Sequence, residues 1–192
     1  FIMRMLEPPH AQVARYLSSN DFRRFLVIEY GVHGTVAEVL EVERAGDAAL
    51  GLPVIGWPDR FSIGLDTCKA MQYLHAKGVA HGDLRCGNLL VSAFSPCRVK
   101  VFDFSCANLI RDTEVQGPVW RGLVRWQPPE VCRQRFDRGV QIEQPTAVDL
   151  YSFSMLLTEL ATGRQPFYDV HDDAAVARLV IDGQRPRIPD DA

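Results

Sequence analysis

The sequence predicts an α+β fold, with a few strands ahead of a mostly helical body. Three stretches carry that expectation. Residues 21–30, Asp-Phe-Arg-Arg-Phe-Leu-Val-Ile-Glu-Tyr, end in an apolar, β-prone run that reads as a strand. Leu89-Leu90-Val91 and Val99-Lys100-Val101-Phe102 read as two short strands joined by a loop holding Pro96. Residues 147–161 are apolar on nearly every side, yet too short to cross a bilayer, so they predict a helix at the centre of a domain.

The remaining elements follow from local punctuation. Gly31 and Gly34 break the first strand, and Thr35 to Glu43 fits a short amphipathic helix capped by Thr35. Residues 44–58 hold three glycines and two prolines and read as a surface connection. Asp59 is placed to cap a helix running to about Lys77, with Phe61, Leu65, Cys68, Met71 and Leu74 as its buried face. Gly78 would stop that helix. Residues 105–145, with scattered glycines and prolines, predict an extended loop with room for one helical turn. Gly163 would end the apolar helix, and a last helix is expected over 172–182, before Gly183 and Pro186.

Composition narrows the class of protein. The 192 residues are 47% apolar and 23% charged, ordinary for a soluble globular chain with a sizeable core. A net charge of −3 gives no electrostatic case for a nucleic-acid partner or for membrane contact by this segment. No apolar run approaches the roughly 20 residues of a membrane-spanning helix. Five cysteines, an odd number without metal-ligand spacing, argue against a disulfide framework or a zinc site. They favour reduced thiols in an intracellular, cytoplasmic setting.

The chemistry concentrates in residues 81–103. His81-Gly82-Asp83-Leu84-Arg85-Cys86-Gly87-Asn88 sets a carboxylate and a carboxamide five residues apart just ahead of a strand, and Asp103-Phe104-Ser105 ends the next one. Phosphoryl transfer needs few covalent parts: a carboxylate to deprotonate the acceptor hydroxyl, and oxygen ligands for magnesium. Singly, these residues have plainer explanations. Asp83 could cap a turn, Asn88 could satisfy loop amides, and Asp103 could merely end a strand.

Together, and in order, they resemble the protein kinase superfamily, whose catalytic loop reads His-Arg-Asp-Leu-x-x-x-Asn and whose metal-binding strand ends in Asp-Phe-Gly. Trp126-Gln127-Pro128-Pro129-Glu130 resembles the Ala-Pro-Glu box, and Asp149-Leu150-Tyr151-Ser152-Phe153 the start of the buried central helix. Leu26-Val27-Ile28-Glu29-Tyr30-Gly31 resembles the last small-lobe strand and the hinge. The resemblance implies a protein-kinase-like fold, with residues 1–30 as the remainder of the small lobe and 31–192 as the large lobe. It implies ATP and Mg2+ as cofactors and a protein substrate. Asp83 would be the catalytic base, Arg85 a contact to the γ-phosphate, and Asn88 and Asp103 the metal ligands. Ile28 would be the gatekeeper, the backbone of Glu29 and Gly31 would meet adenine, and Leu90 would form the floor beneath it. Asp149 would hold the catalytic-loop backbone.

Asp-Leu-Arg-x-x-Asn and Val124-Arg125-Trp126 resemble tyrosine kinases and the tyrosine-kinase-like group; the latter, with serine or threonine as acceptor, is favoured. The resemblance also implies a piece of a longer chain. A glycine-rich loop, a strand lysine and a helix glutamate would precede residue 1, and further helices would follow residue 192. The 192 residues alone are therefore expected to be inactive, with Glu130 partly buried and lacking its usual arginine.

Three positions depart from the family pattern. Gly82 stands where an arginine usually binds activation-loop phosphate, which weakens the case for control through a phosphosite such as Thr113. Ser105 replaces a glycine, and Phe102 is bulkier than usual beside the metal aspartate. None removes a catalytic group, so an active enzyme is preferred to the alternative, a pseudokinase serving as a nucleotide-binding or interaction module.

Overall fold

Backbone pairing and helix caps organise the chain into two units, Phe1–Lys77 with Gly87–Phe104, and Gly78–Cys86 with Ser105–Ala192. A computed structural model describes residues 2–20, 22, 25–46, 54–110, 120–137 and 139–189.

In the first unit, β1 (Tyr16–Asn20) pairs antiparallel with β2 (Phe25–Ile28), the strand expected from its apolar run. Helix α1 (Val36–Ala45) starts as its sequence predicts. Thr35 Oγ1 accepts from the Glu38 N–H at 3.3 Å, and Glu38 Oε2 accepts from the Thr35 N–H at 2.7 Å, a reciprocal capping box. Helix α2 (Trp57–Ala76) packs on a hairpin of β4 (Leu89–Ala93) and β5 (Arg98–Val101), the two strands expected around Pro96.

One expectation for α2 fails and another holds only in part. Its N-cap is Gly56, with Pro58 in the first turn, while the Asp59 carboxylate accepts from the Cys97 N–H at 2.8 Å. A proline early in the helix serves because its missing N–H would have no helical partner there. The buried face is only in part the one anticipated: Met71 and Leu74 lie on it as expected. Ile63, Thr67, Ala70, Met71 and Leu74 are buried, whereas Phe61, Leu65 and Cys68 are exposed. Polar residues mark the true face because they have partners. Asp66, 2% exposed, accepts from the Arg98 guanidinium at 2.7 and 2.9 Å and from the Val99 N–H at 3.3 Å. A count of apolar side chains alone misses such a face.

In the second unit, β3 (Val79–Ala80) pairs with β6 (Asn108–Leu109). The span expected as a loop with one helical turn contains more order. A 3-10 turn, Val124–Trp126, leads into α3 (Pro129–Phe136), again with proline in the first turn. Helix α4 (Pro145–Thr162) is the predicted apolar helix, but it is not buried all round: Leu150 is 63% and Leu157 42% exposed. Its inner face instead includes Asp149, Ser152 and Glu159. Helix α5 (Asp173–Ile181) is capped by Asp172, which accepts from the Ala174 and Ala175 N–H groups. Val176, Ala177 and Val180 of α5 pack with Val124, Cys132 and Phe167. Thr113 lies outside the described residues, as do residues 47–53 of the expected connection. Among the described residues no helix is long and apolar enough to cross a membrane.

Candidate active site

Residues 81–86 sit in the second unit, and their backbone is held by buried side chains. Asp149, fully buried on α4, accepts from the N–H groups of His81 and Gly82, both at 2.8 Å. One carboxylate thereby satisfies two consecutive loop amides, the role expected of it. Further along α4, Glu159 Oε2 accepts from the Cys86 N–H at 3.0 Å and from the Trp126 indole N–H at 3.1 Å. Burial pushes the Glu159 carboxyl above the ordinary glutamate range, against the pull of those two donors and of the Arg85 guanidinium.

Asp83 is 7% exposed. Its Oδ1 accepts from the Leu123 N–H at 3.0 Å, and its Oδ2 from Arg85 Nε at a longer 3.4 Å. The Asp83 N–H in turn points to His81 Nδ1 at 3.3 Å, which gives the fully buried His81 a structural task. Arg85 also lies over the Trp126 ring, 6.0 Å from its centroid. A carboxylate set this way, with one backbone donor and one flanking cation, can take a proton from a hydroxyl in a fixed direction.

Gly82 has φ +78°, and a Cβ there would lie 2.5 Å from the Cys106 carbonyl oxygen and 3.1 Å from the Trp120 ring. The backbone conformation and the space both require glycine. Ser105 lies in a 3-10 turn, Phe104–Cys106; the left-handed residue at this point of the chain is Asp103, at φ +60°. Aspartate tolerates that region better than most residues, and such backbone conformations gather at functional sites.

Asn88 and Asp103 belong to the first unit, at the two ends of the hairpin chain that meet. Leu89 faces Val101 in the β4–β5 register, and the Phe102 N–H donates to the Asn88 carbonyl at 3.1 Å. The carboxamide and the carboxylate therefore flank one end of one ladder. Both are hard oxygen donors of the kind magnesium takes, so the donor set fits that metal. Glu29, Gly31 and Leu90 are also in this unit. A Cβ on Gly31 would lie 2.7 Å from Leu90 Cδ2, so the backbone at 31 rests on the Leu90 side chain. The Glu29 N–H is taken by the Arg15 carbonyl at 2.9 Å. Among the described residues the Glu29 carbonyl and the Gly31 N–H make no backbone hydrogen bond. Ile28, half-buried, ends β2 opposite Tyr16. The Glu29 side chain pairs with Lys100.

Comparison with known proteins gives this geometry its context. Residues 2–192 match the family model described as protein tyrosine and serine/threonine kinase. The chain belongs to that kinase family. It is 30% identical over 192 residues to serine/threonine-protein kinase STY46 of Arabidopsis thaliana, covering 98% of this chain and 30% of that protein. It is 33% identical over 153 residues to mitogen-activated protein kinase kinase kinase 13-A of Xenopus laevis, covering 79% of this chain and 14% of that protein. Against RasGEF domain-containing serine/threonine-protein kinase X of Dictyostelium discoideum the identity is 31% over 147 residues, 76% of this chain and 13% of that one. The chain thus spans less than a third of each of these relatives.

Within this kinase chain the sequence-predicted site residues fall into two groups by unit, Asp83 and Arg85 in one, and Ile28, Glu29, Gly31, Asn88, Leu90 and Asp103 in the other. Glu130, expected to lack an arginine partner, is half-buried and makes no ion pair among the described residues. Sequence reasoning missed Glu159, Gln127 and the Leu123 N–H. Glu159 did leave a signal: a carboxylate in an otherwise apolar helix must find a partner or be expelled. The other two act through contacts between segments some forty residues apart, for which no local pattern exists.

Proposed function

We propose that this chain carries the catalytic machinery of an ATP- and magnesium-dependent protein kinase that phosphorylates serine or threonine on a protein substrate. The observation that carries the reading is Asp83, buried and oriented by the Leu123 N–H on a loop that Asp149 clamps. As the acceptor hydroxyl attacks, Asp83 takes its proton, a bond forms from that oxygen to the γ-phosphorus, and the bond from phosphorus to the ADP oxygen breaks. Magnesium and the nucleotide supply charge neutralisation and the transferred group. Asn88 and Asp103 would hold the metal, and Arg85 would contact the γ-phosphate. Glu29 and Gly31 would offer the adenine edge their backbone acceptor and donor, with Ile28 behind it and Leu90 beneath. Residues 1–30 then belong to the small lobe and 31–192 to the large one.

The relatives named above are serine/threonine-protein kinases or a kinase kinase kinase, which favours the enzyme over a scaffold and a serine or threonine acceptor over tyrosine. ATP, magnesium and free thiols all suit a cytoplasmic setting. The reading is tested in the natural full-length protein by Asp103→Asn, a residue that also accepts a left-handed backbone. Magnesium-dependent nucleotide binding should weaken by roughly tenfold or more, the loss of one charged ligand. Binding with unchanged magnesium dependence would remove Asp103 from the metal site. Phosphoamino-acid analysis of the product should show phosphoserine or phosphothreonine; phosphotyrosine alone would overturn the acceptor assignment.

A further inference from the structure

Gly82 adopts a left-handed φ of +78°, a conformation open to glycine, and the Gly82–Asp83 peptide that follows carries the Asp83 side chain. That peptide plane sets where the Asp83 carboxylate points. Its N–H is directed at His81 Nδ1, 3.3 Å away. Its carbonyl accepts from Gln127 Nε2 at 2.9 Å.

Gln127 is fully buried at the end of the Val124–Trp126 turn, and its own N–H donates to the Val124 carbonyl at 3.0 Å. Its Oε1 is buried with no hydrogen-bond partner among the described residues. The amide orientation is not arbitrary, since a flipped group would set Oε1 against the Gly82 carbonyl, acceptor to acceptor. Gly122 makes room for the arrangement. A Cβ at 122 would lie 1.9 Å from Gln127 Nε2, 2.5 Å from the Gly82 carbonyl oxygen and 2.9 Å from Asp83 Oδ1. The segment 122–127 and the loop at 82–83 are therefore fitted to each other at three points: the Gly122 backbone, the Leu123 N–H and the Gln127 amide.

A buried amide that leaves Oε1 unpaired gains little stability over an apolar side chain of equal length, which would strand the Gly82 carbonyl instead, one unpaired acceptor for another. Stability is therefore a poor account of glutamine here; its donor is aimed at the peptide that carries the base. We propose that Gln127 is a positioning residue for Asp83, pinning the Gly82–Asp83 peptide so that the carboxylate faces the acceptor hydroxyl. The proposal rests on the reading of Asp83 as the base.

The test compares Gln127→Met, Gln127→Asn and Asp83→Asn in the natural full-length protein, with a generic protein substrate. Gln127→Met keeps the side-chain length and removes the donor, while Gln127→Asn keeps the amide but withdraws it by one methylene. Both should lower kcat between roughly tenfold and a hundredfold, the effect of a misplaced catalytic group. KM for ATP should move by less than about twofold. The melting temperature of Gln127→Met should shift by less than about 4 °C, because one unpaired acceptor is traded for another. If Gln127→Met does not fold, Gln127→Asn gives the same readout. An unchanged kcat in the folded variants overturns the proposal, as does a kcat loss matched by falls in nucleotide binding and melting temperature, which marks a structural role. If Asp83→Asn abolishes transfer while the Gln127 variants keep it, only the positioning role fails. If Asp83→Asn itself transfers phosphate at the normal rate, the base assignment fails and takes the positioning role with it.

Discussion

The catalytic loop up to Cys86 and the hairpin that begins at Leu89 are held by opposite means. Residues 81–86 hang from a few buried side chains: Asp149 takes two loop amides, Glu159 takes a third, and Gln127 takes a carbonyl. The hairpin end bearing Asn88 and Asp103 is held by its own ladder, Leu89 opposite Val101 and the Phe102 N–H on the Asn88 carbonyl. A buried carboxylate on α2, Asp66, braces the hairpin farther along, at Arg98 and Val99. Nearer the predicted adenine side, the Lys100–Glu29 pair is half-exposed. A ladder spreads its hydrogen bonds over backbone that no substitution short of proline removes. A side-chain clamp concentrates them on one atom or two. The base side should therefore be brittle and the hairpin side tolerant, wherever the substitution spares the ligands themselves.

Asp149→Ala tests the brittle side most severely. It strips charged acceptors from two buried N–H groups, so the cost should be about 3–6 kcal/mol, counted from hydrogen bonds to charged groups. Urea unfolding measures it, and a loss under about 1 kcal/mol would deny the clamp.

Glu159 and Glu29 give the two sides opposite responses to pH. Burial raises the Glu159 carboxyl above its ordinary 4.5, so the native state binds the proton more tightly than the unfolded chain does. Its contribution to stability is full below that ordinary value and is lost as pH rises through the raised one. Glu159→Gln should remove this fall, with a change at neutral pH of about 1 kcal/mol or less, because an acceptor oxygen remains. For Glu29, burial pushes upward, but the hydrogen bond from Lys100, the Arg15 N–H and the two nearby charges outweigh it, leaving the carboxyl below 4.5. Its contribution is present above the ordinary value and is lost as pH falls through the lowered one. Glu29→Gln should flatten that acid-side loss, by only about 0.2–1 kcal/mol for a half-exposed pair. Unfolding curves taken from about pH 2 to about pH 8, a window that reaches below as well as above the ordinary carboxylate range, read both effects. The same sign at both residues would collapse the contrast between the two regions.

The sequence made some of this legible and hid the rest for identifiable reasons. Thr35 announced its helix because capping is local chemistry, and the last helix was marked by the Gly183 and Pro186 that follow it. The strands on either side of Pro96 were visible as short apolar runs. Helix α3 was hidden because Pro128 and Pro129 read as breakers, whereas Pro129 occupies the first helical position, where its missing N–H costs nothing. The face of α2 was misread in part because Asp66 and Thr67 are buried with partners supplied by distant or backbone atoms. At the candidate site, Asp83, Asn88 and Asp103 stood out by order and spacing. The groups that orient Asp83 did not, since a backbone N–H at Leu123 carries no signature in the residue type.

The most direct test of the account is Asp83→Asn in the natural full-length protein, read by phosphate transfer and nucleotide binding on the same sample. The substitution keeps an acceptor for the Leu123 N–H and removes the negative charge that would take the proton and that faces Arg85. Transfer should fall by roughly a hundredfold to ten-thousandfold, the contribution of a positioned general base, while nucleotide binding stays within about twofold. Transfer at the unsubstituted rate would contradict the assignment of Asp83 and the reading built on it.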